Sequence, residues 1–111
     1  MAKRYASYTD QELDEEVPVR WELAKKEQYD YTEAIKDRKP HKAAYHDRRA
    51  RSFWKAYFGL RDEKGYRLLA LAGCTCRAKL HFKWYEETPT VLECPKCGKR
   101  AWWKNLCKSD T

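Results

Sequence analysis

The chain has 111 residues, with 24 Lys and Arg against 17 Asp and Glu, a net charge of +7, and 14% aromatic residues. No run approaches the ~18 apolar residues of a membrane span, and the N-terminus lacks the apolar core of a secretory leader, so the expectation is a soluble, cytoplasmic protein with no membrane partner. Five cysteines is an odd number for a disulfide framework, and in a reducing compartment close cysteine pairs favour metal.

The positive charge is unevenly placed. Residues 1–40 carry eight basic and ten acidic side chains, residues 41–61 six and one, and residues 77–111 eight and four. Polyanion-binding surfaces are therefore expected in the second and last of these segments, and a protein-binding arm in the first.

In chain order, Thr9-Asp10-Gln11-Glu12 has the pattern of a capping box and opens a helix that Val17-Pro18 is expected to stop. Pro18 then suits the first turn of a second helix to about Arg38, with Trp21, Ala24, Tyr31, Ala34 and Ile35 on its apolar face. A third helix is expected from His41 to Phe58, ended by Gly59, with an apolar stripe through Ala43, Ala50, Phe53, Trp54, Tyr57 and Phe58. His41 and His46 read as surface histidines. Asp62-Glu63-Lys64-Gly65 reads as a turn, and Tyr66–Ala72 as a short buried strand.

Four cysteines then come as two close pairs, Cys74-Thr75-Cys76 and Cys94-Pro95-Lys96-Cys97-Gly98. In the second, Pro95 fixes the backbone after the first thiol and Gly98 permits the tight turn that aims amides at sulfur. This CPKCG stretch, with an earlier pair and a hairpin-length insert, resembles the zinc ribbon or rubredoxin-type knuckle of many nucleic-acid-handling proteins, over about residues 73–107. The resemblance implies one structural Zn2+ on Cys74, Cys76, Cys94 and Cys97. The first pair departs from the pattern, having one intervening residue where a ribbon has two to four, so Cys107 or His81 remains an alternative ligand. An iron–sulfur cluster or a redox disulfide are the competing chemistries.

The implied fold class is α+β: N-terminal helices, forming a helical hairpin over residues 1–61, packed on a small antiparallel zinc-ribbon sheet over residues 62–111, the two making one compact unit. Strands are expected at Ala78–Glu86, Thr90–Glu93 and Arg100–Lys104, the last sending Trp102 and Trp103 to opposite faces.

Two sets of basic and aromatic residues are candidate nucleic-acid contacts, for DNA or RNA: Lys42, Arg48, Arg49, Arg51 and Lys55 on the third helix, and Arg77, Lys79, His81, Lys83, Tyr85, Lys99, Arg100, Trp103 and Lys104 around the cysteines. Such a protein would be a regulator or accessory factor of transcription or DNA/RNA handling, held at the nucleoid or nucleus by its ligand. The alternative is an adaptor or inhibitor that docks on a larger machine, such as RNA polymerase or a nuclease, through its acidic and aromatic N-terminal helices, including Asp14, Glu15 and Glu16, with zinc purely structural. No nucleophile motif, phosphate loop or paired acid and base appears, so an enzyme is not expected.

Overall fold

A computed structural model of the chain describes residues 4–81 and 90–107. After a single 3-10 turn at Tyr5–Ser7 come two long helices, α1 (Asp10–Lys36) and α2 (Pro40–Leu71), then two short strands, β1 (Val91–Glu93) and β2 (Arg100–Trp102). The strands pair antiparallel with Leu92 opposite Ala101, which makes the fold α+β. No helix among the described residues is long and apolar enough to cross a membrane.

The capping box at the start of α1 forms as its sequence dictates: the Glu12 amide donates to Thr9 Oγ1 at 3.1 Å, and the Thr9 amide donates to Glu12 Oε1 at 2.9 Å. Pro18, however, does not divide the helix. Leu13, Val17, Trp21 and Ala24 form one buried stripe that continues past it, while Pro18 itself faces solvent. A proline inside a helix costs about 3 kcal/mol. Burying several large side chains at about 1.5–3 kcal/mol each outweighs that loss.

A Schellman turn joins the helices. Arg38 takes the left-handed conformation (φ 54°), its amide donates to the Ile35 carbonyl, and the Lys39 amide donates to Ala34 at 2.9 Å. α2 then begins with Pro40 at its first turn.

The expected stop at Gly59, turn at 62–65 and strand at 66–72 are all absent, since α2 runs unbroken to Leu71. The position 61/62 thus falls within a helix. Tertiary contacts override the local signals here. A Cβ on Gly59 would come within 2.2 Å of the Tyr5 ring, so the glycine makes room for the N-terminal turn and does not end the helix. The charges of Glu63 and Lys64, which look like a solvated turn, are buried. Lys64 Nζ lies 3.1 Å from Asp14 Oδ1 on α1, and Glu63 pairs with Arg67 at 2.9 Å and with Arg77.

Two apolar cores result. One joins Leu13, Val17, Trp21, Tyr57 and Leu60 between the helices. The other gathers Leu68 and Leu69 with Leu80, Leu92, Cys74 and Cys94. Trp103 and Leu106 pack against both cores and so bind the cysteine region to the helical hairpin.

Of the three expected strands, the last two are found in shortened form. Residues 74–81 have no regular strand, and the remainder of the expected 78–86 strand lies outside the described residues.

Candidate metal centre

The end of α2 places the first cysteine. Gly73, in the left-handed region (φ 91°), closes the helix with a second Schellman turn, in which the Gly73 amide donates to Ala70 and the Cys74 amide donates to Leu69 at 2.9 Å. Cys74 is thereby fixed to the last turn of a helix whose Leu68 and Leu69 are buried.

The second pair forms a knuckle between β1 and β2. The Cys94 amide donates to Lys99 and the Gly98 amide donates to Cys94, both at 2.8 Å, with Gly98 at φ 78°. The Cys97 amide points at Cys94 Sγ, 3.4 Å away. Lys99 closes the two halves together by donating from Nζ to the Gly73 carbonyl at 3.0 Å.

The four sulfurs of Cys74, Cys76, Cys94 and Cys97 lie within 4.8 Å of one another, with Cys74 and Cys97 3.6 Å apart. Tetrahedral zinc with Zn–S bonds of about 2.3 Å separates its sulfurs by about 3.8 Å, so the arrangement fits a single ion. All five cysteines are free thiols. Cys107 is exposed, and neither it nor His81 belongs to the cluster. The short Cys74-Thr75-Cys76 spacing is therefore compatible with convergence.

The thiols are unequal as acids. Cys94 is drawn down to about 6, first by the hydrogen bond from the Cys97 amide and then by that of Lys96, against the effect of burial. Cys76 is pushed up to about 12 by its contact with Cys97, by burial and by the other thiols. For Cys74 the Cys76 amide works downward, but burial and the contacts with Cys97 and Cys94 prevail and the thiol is raised. Such a set resists full ionisation on its own, and a bound divalent cation would supply the missing positive charge.

The predicted cations have diverse settings. Lys42, Arg48, Arg51 and Lys55 are exposed on α2, and Lys79, His81, Arg100 and Lys104 are exposed near the knuckle. Arg51 pairs with Asp47 at 3.2 Å and Arg100 with Glu93 at 3.6 Å, both at the surface. Arg49 reaches across the hairpin, where its Nε donates to Glu27 Oε1 at 2.8 Å while its side chain remains 45% exposed. Arg77 pairs with Glu63 and lies 4.7 Å over the Tyr66 ring. Lys83 and Tyr85 lie outside the described residues.

Trp103 points inward with Lys64 Nζ 5.0 Å from its ring, whereas Trp102 is 68% exposed. The strand alternation expected of the pair holds, and Trp102 is the outward member. Lys55 and Leu71, the last residue of α2, are about 24 Å apart along the helix.

Sequence reasoning passed over Glu27 and the pairings of Asp14 and His46. Glu27 is buried, and His46 Nδ1 lies 2.7 Å from its Oε2, so His46 is part of a hydrogen-bonded cluster across the hairpin and not a plain surface histidine. Asp14 accepts from the amides of Leu106 and Cys107, each at 2.8 Å. The only prior sign of these roles was a charged residue falling on the apolar face of a helix.

Comparison with known protein families, curated proteins and solved structures gave no match to this chain.

Proposed function

We propose that the chain is a zinc-ribbon-like nucleic-acid-binding protein, in which Cys74, Cys76, Cys94 and Cys97 hold one structural zinc, and that it serves as a regulator or accessory factor in transcription or DNA/RNA handling. Thiolate donors in a tetrahedral, four-ligand set suit zinc, and a site with no open position supplies folding energy and not a reactive water. The ion would contribute on the order of 10–16 kcal/mol to a small module with a thin core.

The observation that carries the binding reading is the outer face of β2. Arg100 and Trp102 alternate outward there, with Lys104 beyond them and Lys96 exposed on the adjoining knuckle. A solvent-facing tryptophan among cations offers a stacking surface for a base and charges for its phosphates.

Two measurements test this. Metal analysis of purified protein should give one zinc per chain, and fluorescence anisotropy with labelled oligonucleotides at low salt should show binding that weakens steeply as salt rises. Trp102→Ala and Lys104→Glu should weaken it. No binding to any oligonucleotide at about 50 mM salt would overturn the reading.

A second reading is docking on a larger protein, with RNA polymerase or a nuclease as the type of partner. It is favoured by Val19, 51% exposed, which with Leu23 and Pro18 lines an open groove on the outer face of α1. The acidic start of α1 favours it less, because Asp10 and Asp14 are committed to Arg67 and Lys64. A pull-down from extract with and without nuclease separates the two readings.

A further inference from the structure

Between the two helices, far from the cysteines, lies a groove of about 570 Å³ lined by Gln28 of α1 and by Arg51, Trp54, Lys55 and Phe58 of α2. The four α2 residues are spaced by three, one and three, so they share one face of the helix. The groove's volume lies within the range of ordinary small-ligand sites.

Its floor is aromatic and held in place. Trp54 and Phe58 stack with ring centroids 5.7 Å apart and planes 20° from parallel. Trp54 makes T-shaped contacts with Trp21 and Tyr57, centroids 5.4 and 5.9 Å away, and the Arg61 guanidinium lies 5.0 Å over the Phe58 ring. Flat rings packed among these neighbours make a stacking platform whose ordering cost is met in part by folding.

Its rim is polar and positive. Gln28 is exposed and carries an amide able to donate and accept, which suits the edge of a base. The side chain of Arg51 is 80% exposed and, among the described residues, its ion pair is with Asp47 at the surface. An exposed pair of this kind is worth ~0–1 kcal/mol, so a phosphate can replace the carboxylate at little cost. Lys55 lies one turn away and Arg48 borders the same stretch, both exposed.

We propose that this groove is a binding site for single-stranded nucleic acid, in which one unpaired base lies against Trp54 and Phe58 while the adjoining phosphates meet Arg51 and Lys55. The proposal deepens the nucleic-acid reading and rests on it. An aromatic floor with cations at the mouth matches a chain that alternates flat neutral rings with anionic groups. A duplex keeps its bases stacked and paired, so it could reach the cations of the rim but not the floor. The site therefore discriminates single strands from double.

The test uses the full-length, zinc-loaded chain and two fluorescein-labelled probes: an oligothymidylate of about twelve nucleotides and a duplex of the same length. Anisotropy should show the single strand bound at least about tenfold more tightly. Trp54→Leu and Phe58→Leu, which keep apolar bulk but remove the rings, should each weaken the single strand by about tenfold and leave duplex binding unchanged. Arg51→Glu with Lys55→Glu should weaken both. Far-UV circular dichroism and zinc content check folding. If Trp54→Leu fails to fold, Phe58→Leu and the exposed Gln28→Ala decide the matter.

Wild-type affinity for the single strand in the ring variants would overturn the groove while leaving the broader function standing. No binding of either probe by the wild-type chain would overturn both. A fluorescein-labelled acidic, aromatic peptide bound by the wild-type chain but not by Trp54→Leu, where oligothymidylate binds both alike, would reassign the groove to a protein partner.

Discussion

Replacing Asp14 by Ala should destabilise the whole molecule, although Asp14 lies 60 residues or more before the cysteines in sequence. Its carboxylate faces Lys64 Nζ at 3.1 Å, in a place where the lysine side chain is 4% exposed and the aspartate 10%. It also accepts from the Leu106 and Cys107 amides. Removing one member of a buried ion pair costs about 3–5 kcal/mol, because the other charge is left without a partner. The part-buried Leu106 amide adds about 1 kcal/mol, while the exposed Cys107 amide can turn to water. The sum, about 4–6 kcal/mol, is a large share of the ~5–15 kcal/mol that a domain of this size possesses. Urea denaturation with zinc present, followed by far-UV circular dichroism, measures it. The double variant Asp14→Ala, Lys64→Met removes both charges and keeps an apolar side chain against Trp103, so it should recover about 2–3 kcal/mol relative to the single variant. A single-variant cost below about 1 kcal/mol, or a double variant no better than the single, would refute the assignment of Asp14 and Lys64 as a buried pair.

Glu27 predicts a pH dependence. Burial acts to raise its pKa, but the hydrogen bonds from Arg49 and His46 prevail and hold the carboxyl below its ordinary 4.5. A depressed pKa means stability that is present above about 4.5 and is lost as pH falls through the lower folded value. The stability gap between the wild type and Glu27→Gln, measured by urea titration from about pH 6 to about pH 3, should therefore narrow on the acid side, and a constant gap would count against the pairing. Gly98→Ala should weaken metal retention in a chelator competition by about 5–30-fold, since the position has φ 78° and the new Cβ meets nothing within 4 Å, leaving backbone strain of about 1–2 kcal/mol as the whole cost. Cys107→Ser should leave zinc stoichiometry unchanged, whereas Cys94→Ser should lower it. Gly59→Ala should show little gain in the wild type but stabilise a Tyr5→Ala background by about 0.5–1 kcal/mol, because helix propensity is realised only when the ring that occupies the Cβ position is gone.

What could be read from the sequence was local. The Thr9–Glu12 capping box spans three residues and needs no distant partner, and the CPKCG knuckle carries its own turn chemistry. Both are present in the fold. The failures are long-range. Pro18 reads as a helix break until Leu13, Val17 and Trp21 are seen to be buried against α2 on either side of it. Asp62-Glu63-Lys64-Gly65 reads as a turn because its charges look solvated, but Lys64 answers Asp14 fifty residues earlier and Glu63 answers Arg77. His46 looked superficial for the same reason, its partner Glu27 being on the other arm of the hairpin. A charge on an apolar helix face was the available warning, and it does not say where the counter-charge lies.

The short first cysteine pair follows from the same coupling. A ribbon knuckle with two or more residues between its thiols makes its own turn and points its own amides at sulfur, as Cys94–Cys97 does through Gly98. Cys74-Thr75-Cys76 has no room for that turn. The helix terminus performs the task instead: Gly73 reverses the chain, the Leu69 carbonyl holds the Cys74 amide, and Lys99 reaches from the second knuckle to the Gly73 carbonyl. Arg77, in the left-handed region at φ 51°, then redirects the chain after Cys76 while its guanidinium is held by Glu63 of α2. Half of the four-cysteine cluster is therefore built by the end of α2, so the helix must be intact for the thiols to converge. Trp103 and Leu106 return the dependence by packing on both cores. The unusual spacing is the mark of a cysteine cluster that borrows a helix end for its missing turn.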